Sequence, residues 1–356
     1  MAKPFATSLI AALLAAFCLC NAPPMAWEQS NPTYTASTSS DIPHIKPFRK
    51  CSWYIPPHKR LKGYKLTCSE LASASKRHNK VKPGFEAIKR SSRRIQRSTN
   101  VSKLPQNKAK NRNKQLFAYD VTRSCQDLPG FYINANDVQT PLQEYMVTQG
   151  PLDSTVADFW KAVLHKHSPV VVTLVMAVEN GKDKCASYWT LPQVAIDDWI
   201  VAKQHEELLA TSNLIPTHKI VLRTFLAKNK NEERIIKQVH YENWPDGKIP
   251  DLDLFVKLLD SVDAIVDDPT LPITVHCSAG IGRSGTFVAA HSLRKEIRAS
   301  GWQKTRKDPL LINIPKAIFL LRCQRQGLVG SSEQCKIVYQ TLAKEHQPRK
   351  MPFFVL

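Results

Sequence analysis

The sequence predicts a single α/β domain in which a highly twisted mixed sheet is flanked by helices. From about residue 83 to about residue 346, strand-like apolar runs alternate with stretches at helical spacing, without a long gap. Val170 to Val175 is a continuous apolar run, typical of a central strand that is buried on both faces. A second short apolar run precedes a glycine-rich loop and a helical pattern. This alternation places the chain in the α/β class.

Other elements are predicted from the same periodicities. Apolar residues recur at helical spacing over 156–164 and again over 252–266, which predicts two amphipathic helices. Residues 220–226 and 235–241 are strand-like and are separated by a short polar stretch, which predicts a hairpin.

The N-terminus carries a predicted secretory signal peptide. Lys3 is followed by an apolar stretch, residues 5–20, which is shorter than the about 20 residues of a membrane span. Cleavage is predicted after Ala22 or Ala26, so the signal occupies residues 1–22 or extends to 26. We therefore expect the protein in the secretory pathway or outside the cell, with no membrane span after the signal is removed. A leader that stays uncleaved and anchors the protein in the membrane is the alternative.

Most of the positive charge lies in one segment. The 356-residue chain has a net charge of +20, and residues 41–114 hold 21 Lys and Arg against three acids, which is +18. We interpret residues 23–82 as a linker and a basic, disordered arm, and residues 347–356 as a tail. The basic segment 41–114 is expected to contact a polyanion such as nucleic acid, anionic lipid or sulfated glycan. A solubilising surface without a dedicated partner is the alternative.

The segment 275–285, Val-His-Cys-Ser-Ala-Gly-Ile-Gly-Arg-Ser-Gly, has the composition of a phosphate-binding loop between a strand and a helix. A buried strand is predicted over 271–275 and a helix over 286–297. The loop therefore lies at a helix N-terminus, where free N–H groups and the positive end of the dipole attract anions. Its glycines allow successive N–H groups to point inward.

Two side chains of this loop have the chemistry of a nucleophile and an anion receptor. The positive field favours the thiolate form of Cys277, the reactive form of a cysteine. Arg283 is planar and always charged, so it can bind two phosphate oxygens at once. A small buried cysteine near an arginine by chance is the simpler interpretation of this spacing. The three glycines, the strand–loop–helix frame and the preceding His276 argue against it.

A thiolate that attacks a phosphate monoester needs an acid to protonate the departing oxygen. Trp244-Pro245-Asp246 supplies one on a turn that could close as a lid. Alone, this tripeptide is a common turn, and it gains meaning only beside the loop.

Several blocks in the same order resemble the tyrosine-specific, cysteine-dependent phosphatases, the protein tyrosine phosphatase family. The resemblance spans most of residues 85–342. The blocks are Lys110-Asn111-Arg112, 131–136, 148–152, Asp158-Phe159-Trp160, Glu179, Lys184-Cys185, Tyr188-Trp189, His240-Tyr241, Trp244-Pro245-Asp246, 276–285, Leu321-Arg322 and Gln324-Arg325.

The resemblance implies a role for each residue of the centre. Cys277 attacks phosphorus to form a cysteinyl-phosphate, and Asp246 donates a proton to the leaving group and then activates water. Ser284 hydrogen-bonds the thiolate, and His276 tunes the pKa of Cys277. Arg283 holds the phosphate oxygens together with the amides of Ser278, Ala279, Gly280, Ile281 and Gly282. The substrate implied is a phosphotyrosine-containing protein, and neither a metal nor an organic cofactor is implied.

Further substrate-binding residues are implied around this centre. Glu179, on the same loop as Lys184, is expected to brace Arg283. Asn113 stands where the family has a tyrosine that flanks phosphotyrosine. Gln334 is the second of two family glutamines.

The sequence departs from the family in three places: the recognition loop, the lid and the glutamine loop. In the lid, Gly247-Lys248-Ile249-Pro250 follows Asp246 where the family has x-Gly-Val-Pro, so we expect a different lid motion. Asn113 removes an aromatic wall of the cleft, and Gln115 replaces an acid that anchors the substrate backbone. Gly330 replaces the first glutamine, which positions the hydrolytic water. We therefore expect substrate handling to be weaker than the chemistry itself. A phosphotyrosine phosphatase is the leading hypothesis. A catalytically weak phosphoprotein-binding module, or a phosphatase of RNA 5′-phosphates or phosphoinositides, is the alternative.

Overall fold

An eight-stranded mixed sheet forms the centre of the fold in the computed structural model, which describes residues 59–76, 78–266, 268–300 and 311–345. The strand order is β1-β2-β10-β3-β9-β8-β7-β6, and β4 pairs with β5 in a separate hairpin. The strands are β1 (Ala135–Gln139), β2 (Glu144–Thr148), β3 (Val170–Thr173), β4 (Val178–Glu179), β5 (Lys182–Asp183), β6 (Gln193–Ile196), β7 (Trp199–Thr211), β8 (Lys219–Lys228), β9 (Glu233–Glu242) and β10 (Ile273–His276).

Helices surround this sheet. None of the described helices is both long enough and apolar enough to cross a membrane. The described α-helices are α1 (Cys68–Lys76), α2 (His78–Ser92), α3 (Asn100–Lys103), α4 (Pro105–Lys108), α5 (Val156–His165), α6 (Leu252–Ile265), α7 (Gly282–Ala299), α8 (Ile314–Arg322) and α9 (Ser332–Glu345).

The predicted α/β class and the main predicted elements are confirmed. β3 is buried along its whole length, as its continuous apolar sequence predicts. β8 and β9 pair as the predicted antiparallel hairpin, and α5 and α6 lie where helical periodicity placed them. Helix α7 begins at Gly282, four residues earlier than predicted, so the end of the glycine-rich loop is already its first turn.

The centre of the sheet positions the glycine-rich loop. β10 lies parallel to both of its neighbours, with His276 paired to Thr148 of β2 and to Thr173 of β3. The carboxyl ends of these strands therefore meet at one edge, where α/β proteins bind ligands. The segment that begins at Cys277 leaves the sheet at this edge.

The described part of the basic arm differs from the expected linker. Residues 59–64, 68–76 and 78–82 are helical, and Leu61, Leu71 and Val81 are completely buried. α1 packs on α9, and α2 packs on α8 and α9. The high charge of this segment obscured a few apolar residues, and the helices that carry them, which begin before residue 83, pack on the domain. The predicted signal, residues 1–22, and the predicted tail lie outside the described residues.

We expect a fragment that begins at residue 83 to be less stable than one that begins at residue 46, with the same C-terminus. Burial of each large aliphatic side chain contributes about 1.5–3 kcal/mol, so loss of Leu61, Leu71 and Val81 should lower the free energy of unfolding by roughly 5 kcal/mol. Urea denaturation measures this difference. Equal unfolding midpoints would show that the helices before residue 83 do not support the domain.

Candidate active site

The loop that follows β10 packs tightly on the end of β2. Gly280 has φ +69°, and a Cβ there would lie 2.1 Å from the backbone oxygen of Thr148. The N–H of Gly150 donates to the backbone oxygen of Ser278 at 2.8 Å, and a Cβ on Gly150 would lie 2.6 Å from the oxygen of Cys277. Only glycine fits at both places, so the backbone path of the loop is fixed by contact with the sheet.

Arg325 holds the loop from behind. Its buried guanidinium donates to the backbone oxygens of Gly280 at 2.8 Å and Ala279 at 3.3 Å. It also donates to the side-chain oxygens of Asn134 and Asn136. Two loop carbonyls are thereby committed to Arg325, which fixes the orientation of the loop peptides. Arg325 was predicted only as part of a family block, without a local signal for this role.

Arg283 is buried and lies in the first turn of α7. Its Nη1 donates to Oε1 of Glu179 at 2.5 Å and to the backbone oxygen of Trp244 at 2.6 Å. Nε and Nη2 are buried without a hydrogen-bond partner among the described residues. Burial opposes the charge, but Cys277 and Glu179 raise the pKa of Arg283 above its usual value. The side chain is therefore a fixed cation with two donors available to an anion.

The predicted lid brings an acid to this arginine. Oδ1 of Asp246 lies 3.8 Å from Nη2 of Arg283, and Oδ2 lies 3.3 Å from Nζ of Lys184. The Asp246 side chain is 58% exposed, whereas Trp244 is buried and its indole N–H donates to the backbone oxygen of Lys248. The lid is thus anchored by its tryptophan and leaves its carboxylate at the mouth of the site.

His276, a neutral histidine, lies directly before the nucleophile in the interior of the site. His276 is fully buried, with Nε2 2.7 Å from the hydroxyl of Tyr188 and 3.1 Å from Oγ1 of Thr173. Its Nδ1 lies 3.3 Å from the backbone oxygen of Cys277. Desolvation lowers the pKa of His276 to about 3, so the ring is neutral at physiological pH. His276 therefore acts on the nucleophile through hydrogen bonds and packing, without a positive charge.

The remaining predicted loop residues surround the nucleophile. Cys277 is almost completely buried, and the hydroxyl of Ser284 is buried without a hydrogen-bond partner among the described residues. That hydroxyl is free to donate to a sulfur or an anion. Ser278, Ala279, Ile281 and Gly282 are partly exposed, as a loop that receives a ligand requires.

In the predicted recognition loop, Arg112 is fixed by hydrogen bonds and Asn113 is exposed to solvent. The N–H of Arg112 donates to the side chain of Gln149, and its guanidinium donates to the backbone oxygens of Gly150 and Pro151. Asn113 is exposed, and its Oδ1 accepts from the N–H of Gln115 at 2.8 Å. Because this side chain closes its own turn, it does not replace the aromatic wall.

The two glutamine positions lie over the loop. Gln334 is buried, and its Oε1 accepts from the N–H of Gly330 at 2.8 Å. A Cβ on Gly282 would lie 3.0 Å from the Gln334 amide, and a Cβ on Gly330 would lie 3.6 Å from Cα of Gly282. Gly330 therefore faces the loop without a side chain, and the Gln334 side chain is bound to the backbone N–H of Gly330.

Comparisons with known proteins agree with this geometry. A family model described as protein-tyrosine phosphatase matches residues 107–344. Human tyrosine-protein phosphatase non-receptor type 5 is 33% identical over 247 residues, which cover 66% of this chain and 40% of that protein. Tyrosine-protein phosphatase 99A of Drosophila melanogaster is 33% identical over 253 residues, which cover 68% of this chain and 19% of that protein. The chain spans less than half the length of these curated relatives.

A solved structure described as "Structural basis of PTPN18 fingerprint on distinct HER2 tyrosine phosphorylation sites" is similar in fold. It aligns with a TM-score of 0.66 and 26% sequence identity, covering 75% of this chain and 95% of that chain.

Stability should fall as the pH is lowered below about 6.5 because His276 stays neutral in the folded protein. Its pKa of about 3 lies below that of the unfolded chain, so only the unfolded state binds the proton between these values. As the pH is lowered from 6 to 4, we expect the free energy of unfolding of His276→Asn to fall by about 1.4 kcal/mol less per pH unit than that of the wild type. Urea denaturation at several pH values measures both slopes. Burial raises the pKa of Glu296 to about 7 and opposes this trend, but equally in both proteins; parallel slopes would contradict the prediction.

Proposed function

The chain belongs to the protein-tyrosine phosphatase family, and we propose that it hydrolyses phosphotyrosine in proteins through a cysteinyl-phosphate intermediate. One observation carries the proposal. Cys277 and the doubly anchored Arg283 share one loop, and the lid carboxylate of Asp246 lies 3.8 Å from that arginine. A nucleophile, an anion receptor and a proton donor are thus held in one site.

In the first step the Cys277 thiolate forms a bond to phosphorus while the bond from phosphorus to the tyrosine oxygen breaks. Asp246, in its acid form, gives its proton to that oxygen. Arg283, through Nε and Nη2, and the loop amides stabilise the charge on the other three oxygens. These donors are fixed before substrate arrives, because Glu179 and Arg325 already hold the arginine and the loop.

In the second step water attacks phosphorus and the Asp246 carboxylate takes a proton from it. The phosphorus–sulfur bond breaks, Cys277 leaves as a thiolate, and phosphate is released. Ser284 supports the departing sulfur with a hydrogen bond, since its buried hydroxyl has no partner among the described residues. The water lacks the glutamine that the family has at position 330, so we expect this step to be the slower one.

Removal of the nucleophile and of the acid should have different effects on phosphotyrosine peptide. Cys277→Ser should abolish phosphate release, whereas Asp246→Asn should lower kcat by about 10²–10⁴-fold because only proton transfer is lost. Glu207→Gln, which removes an exposed carboxylate on β7, is the charge-matched control and should keep the wild-type rate. Phosphate release over time gives all three rates. If hydrolysis of the cysteinyl-phosphate is slow, an aryl phosphate should give a burst of aryl alcohol of about one equivalent per enzyme.

The same proteins assayed on other phosphate esters separate the alternatives. The set is a phosphoserine peptide, 5′-triphosphorylated RNA and a phosphoinositide. Turnover of RNA or lipid alone would replace the proposed substrate. Retained peptide binding without turnover of any substrate would make the chain a phosphoprotein-binding module.

We also propose that the basic segment 41–114 contacts a polyanion. Residues 87–119 contain ten Lys and Arg and no Asp or Glu. Of these, Arg90, Arg93 and Arg94 are exposed and have no ion-pair partner among the described residues. Exposed cations without local acids favour phosphate or sulfate groups along an extended partner.

Charge reversal should weaken this contact. For the double variant Arg93→Glu/Arg94→Glu we expect elution from heparin at lower salt and a salt slope of RNA binding reduced by roughly two. Lys230→Glu/Lys257→Glu makes the same charge change at exposed positions elsewhere. Equal weakening by both pairs would mean that net charge, and not this segment, determines binding.

A further inference from the structure

The turn between β7 and β8, residues 212–218, contacts the N-terminal end of the lid. We define the lid as residues 243–251. Asn243 begins it with φ +65°, a conformation that asparagine tolerates better than most residues. Its Nδ2 donates to the backbone oxygen of Thr217 at 2.7 Å. The residue directly before Trp244 is therefore fixed by the turn.

The same turn contacts the C-terminal end of the lid. Ser212 donates a short hydrogen bond to the carboxylate of Asp251, which is buried and caps α6 by accepting from the N–H of Asp253 at 2.8 Å. The hydroxyl of Ser212 also accepts from the N–H groups of Leu214 and Ile215. Ser212 thus joins the turn to the start of α6 through one oxygen.

A buried tyrosine connects these two contacts under the lid. The hydroxyl of Tyr241 accepts from the N–H of Asp251 at 3.1 Å and lies 3.2 Å from Nδ1 of His218 in the turn. Its ring packs against Trp244, with 5.7 Å between the ring centroids. Tyr241 therefore joins the turn to the C-terminal end of the lid by hydrogen bonds and contacts Trp244 by ring packing.

The middle of the lid has much weaker support. Residues 245–249 are exposed, and Asp246 is held only by Lys184 at 3.3 Å and Arg283 at 3.8 Å among the described residues. Because the Asp246 side chain is more than half exposed, solvent screens both ion pairs and they stabilise the lid little. The position of the carboxylate is therefore governed by the ends of the lid and by Trp244.

We propose that the β7–β8 turn positions Asp246 for proton transfer and that Ser212 and Asn243 are positioning residues of the reaction. The proposal rests on the proposed phosphatase function. Neither residue touches the reacting atoms. Loss of either contact releases one end of the lid, so the acid is less often within reach of the leaving oxygen.

The loss of rate in these variants should depend on how strongly the leaving oxygen requires a proton from Asp246. Phenyl phosphate releases a basic oxygen that requires the acid, whereas 2,4-dinitrophenyl phosphate releases an anion that does not. We expect Ser212→Ala and Asn243→Asp to lower kcat/KM, which reports cleavage of the ester and not the slower hydrolysis, about tenfold on phenyl phosphate and less than about twofold on the dinitrophenyl ester. Asn243→Asp keeps the size and the backbone preference but cannot donate to Thr217. Ser212→Thr keeps the hydroxyl and should restore the rate.

A double-mutant cycle with Asp246→Asn separates positioning from a general structural role. In that background Ser212→Ala and Asn243→Asp should cause no further loss on phenyl phosphate, because the acid is already absent. A further tenfold loss there, or equal losses on both esters in the wild-type background, would overturn the proposal. An unchanged rate on phenyl phosphate would overturn it as well. Thermal unfolding of each variant shows whether it is folded. If one of Ser212→Ala and Asn243→Asp fails to fold, the other carries the test.

The two proposals fail differently in this experiment. If the wild-type protein turns over neither ester, the phosphatase function is wrong. If it turns over both and the variants do not distinguish them, only the role of the β7–β8 turn is wrong.

Discussion

The site depends on the charge of one buried guanidinium. A cation as buried as Arg283 costs several kcal/mol unless it is paired and hydrogen-bonded. Glu179 and the backbone oxygen of Trp244 satisfy it on one side, at 2.5 and 2.6 Å. The β4–β5 hairpin and the lid are therefore drawn to the loop by the same electrostatic requirement. The donors left on the other side are those that a phosphate needs.

The second constraint is steric and explains why the loop needs no reorganisation. Gly280 and Gly150 bring two backbone segments closer than any side chain would allow. Arg325 then fixes the loop carbonyls from behind. Donors held in this way act on developing charge without first having to be oriented, which is the main source of catalysis in such sites. His276 and His240 add to this rigidity as neutral rings, since desolvation lowers their pKa values to about 3 and 4.

Local chemistry was predictable from the sequence, and long-range contacts were not. Cys277 and Arg283 lie on one loop, so their glycine spacing and the strand and helix beside them predict the anion site directly. Glu179 lies 104 residues from Arg283 and was placed only through the family resemblance. The role of Arg325 and the contact between Asn243 and Thr217 had no sequence signal, because a backbone oxygen as partner leaves no trace in residue type. The helices before residue 83 were missed because their charge outweighed three large buried apolar side chains.

The packing of α1 on α9 has a consequence for how the chain is made. α1 leaves the ribosome early, and α9 is among the last described elements to be synthesised. At the usual rate of translation, about 5–20 residues per second, α1 waits roughly 15–50 s for its partner. During that interval Leu71 has no native cover from α9. On the nascent chain, α1 therefore keeps an apolar side chain without its native cover until α9 has been synthesised.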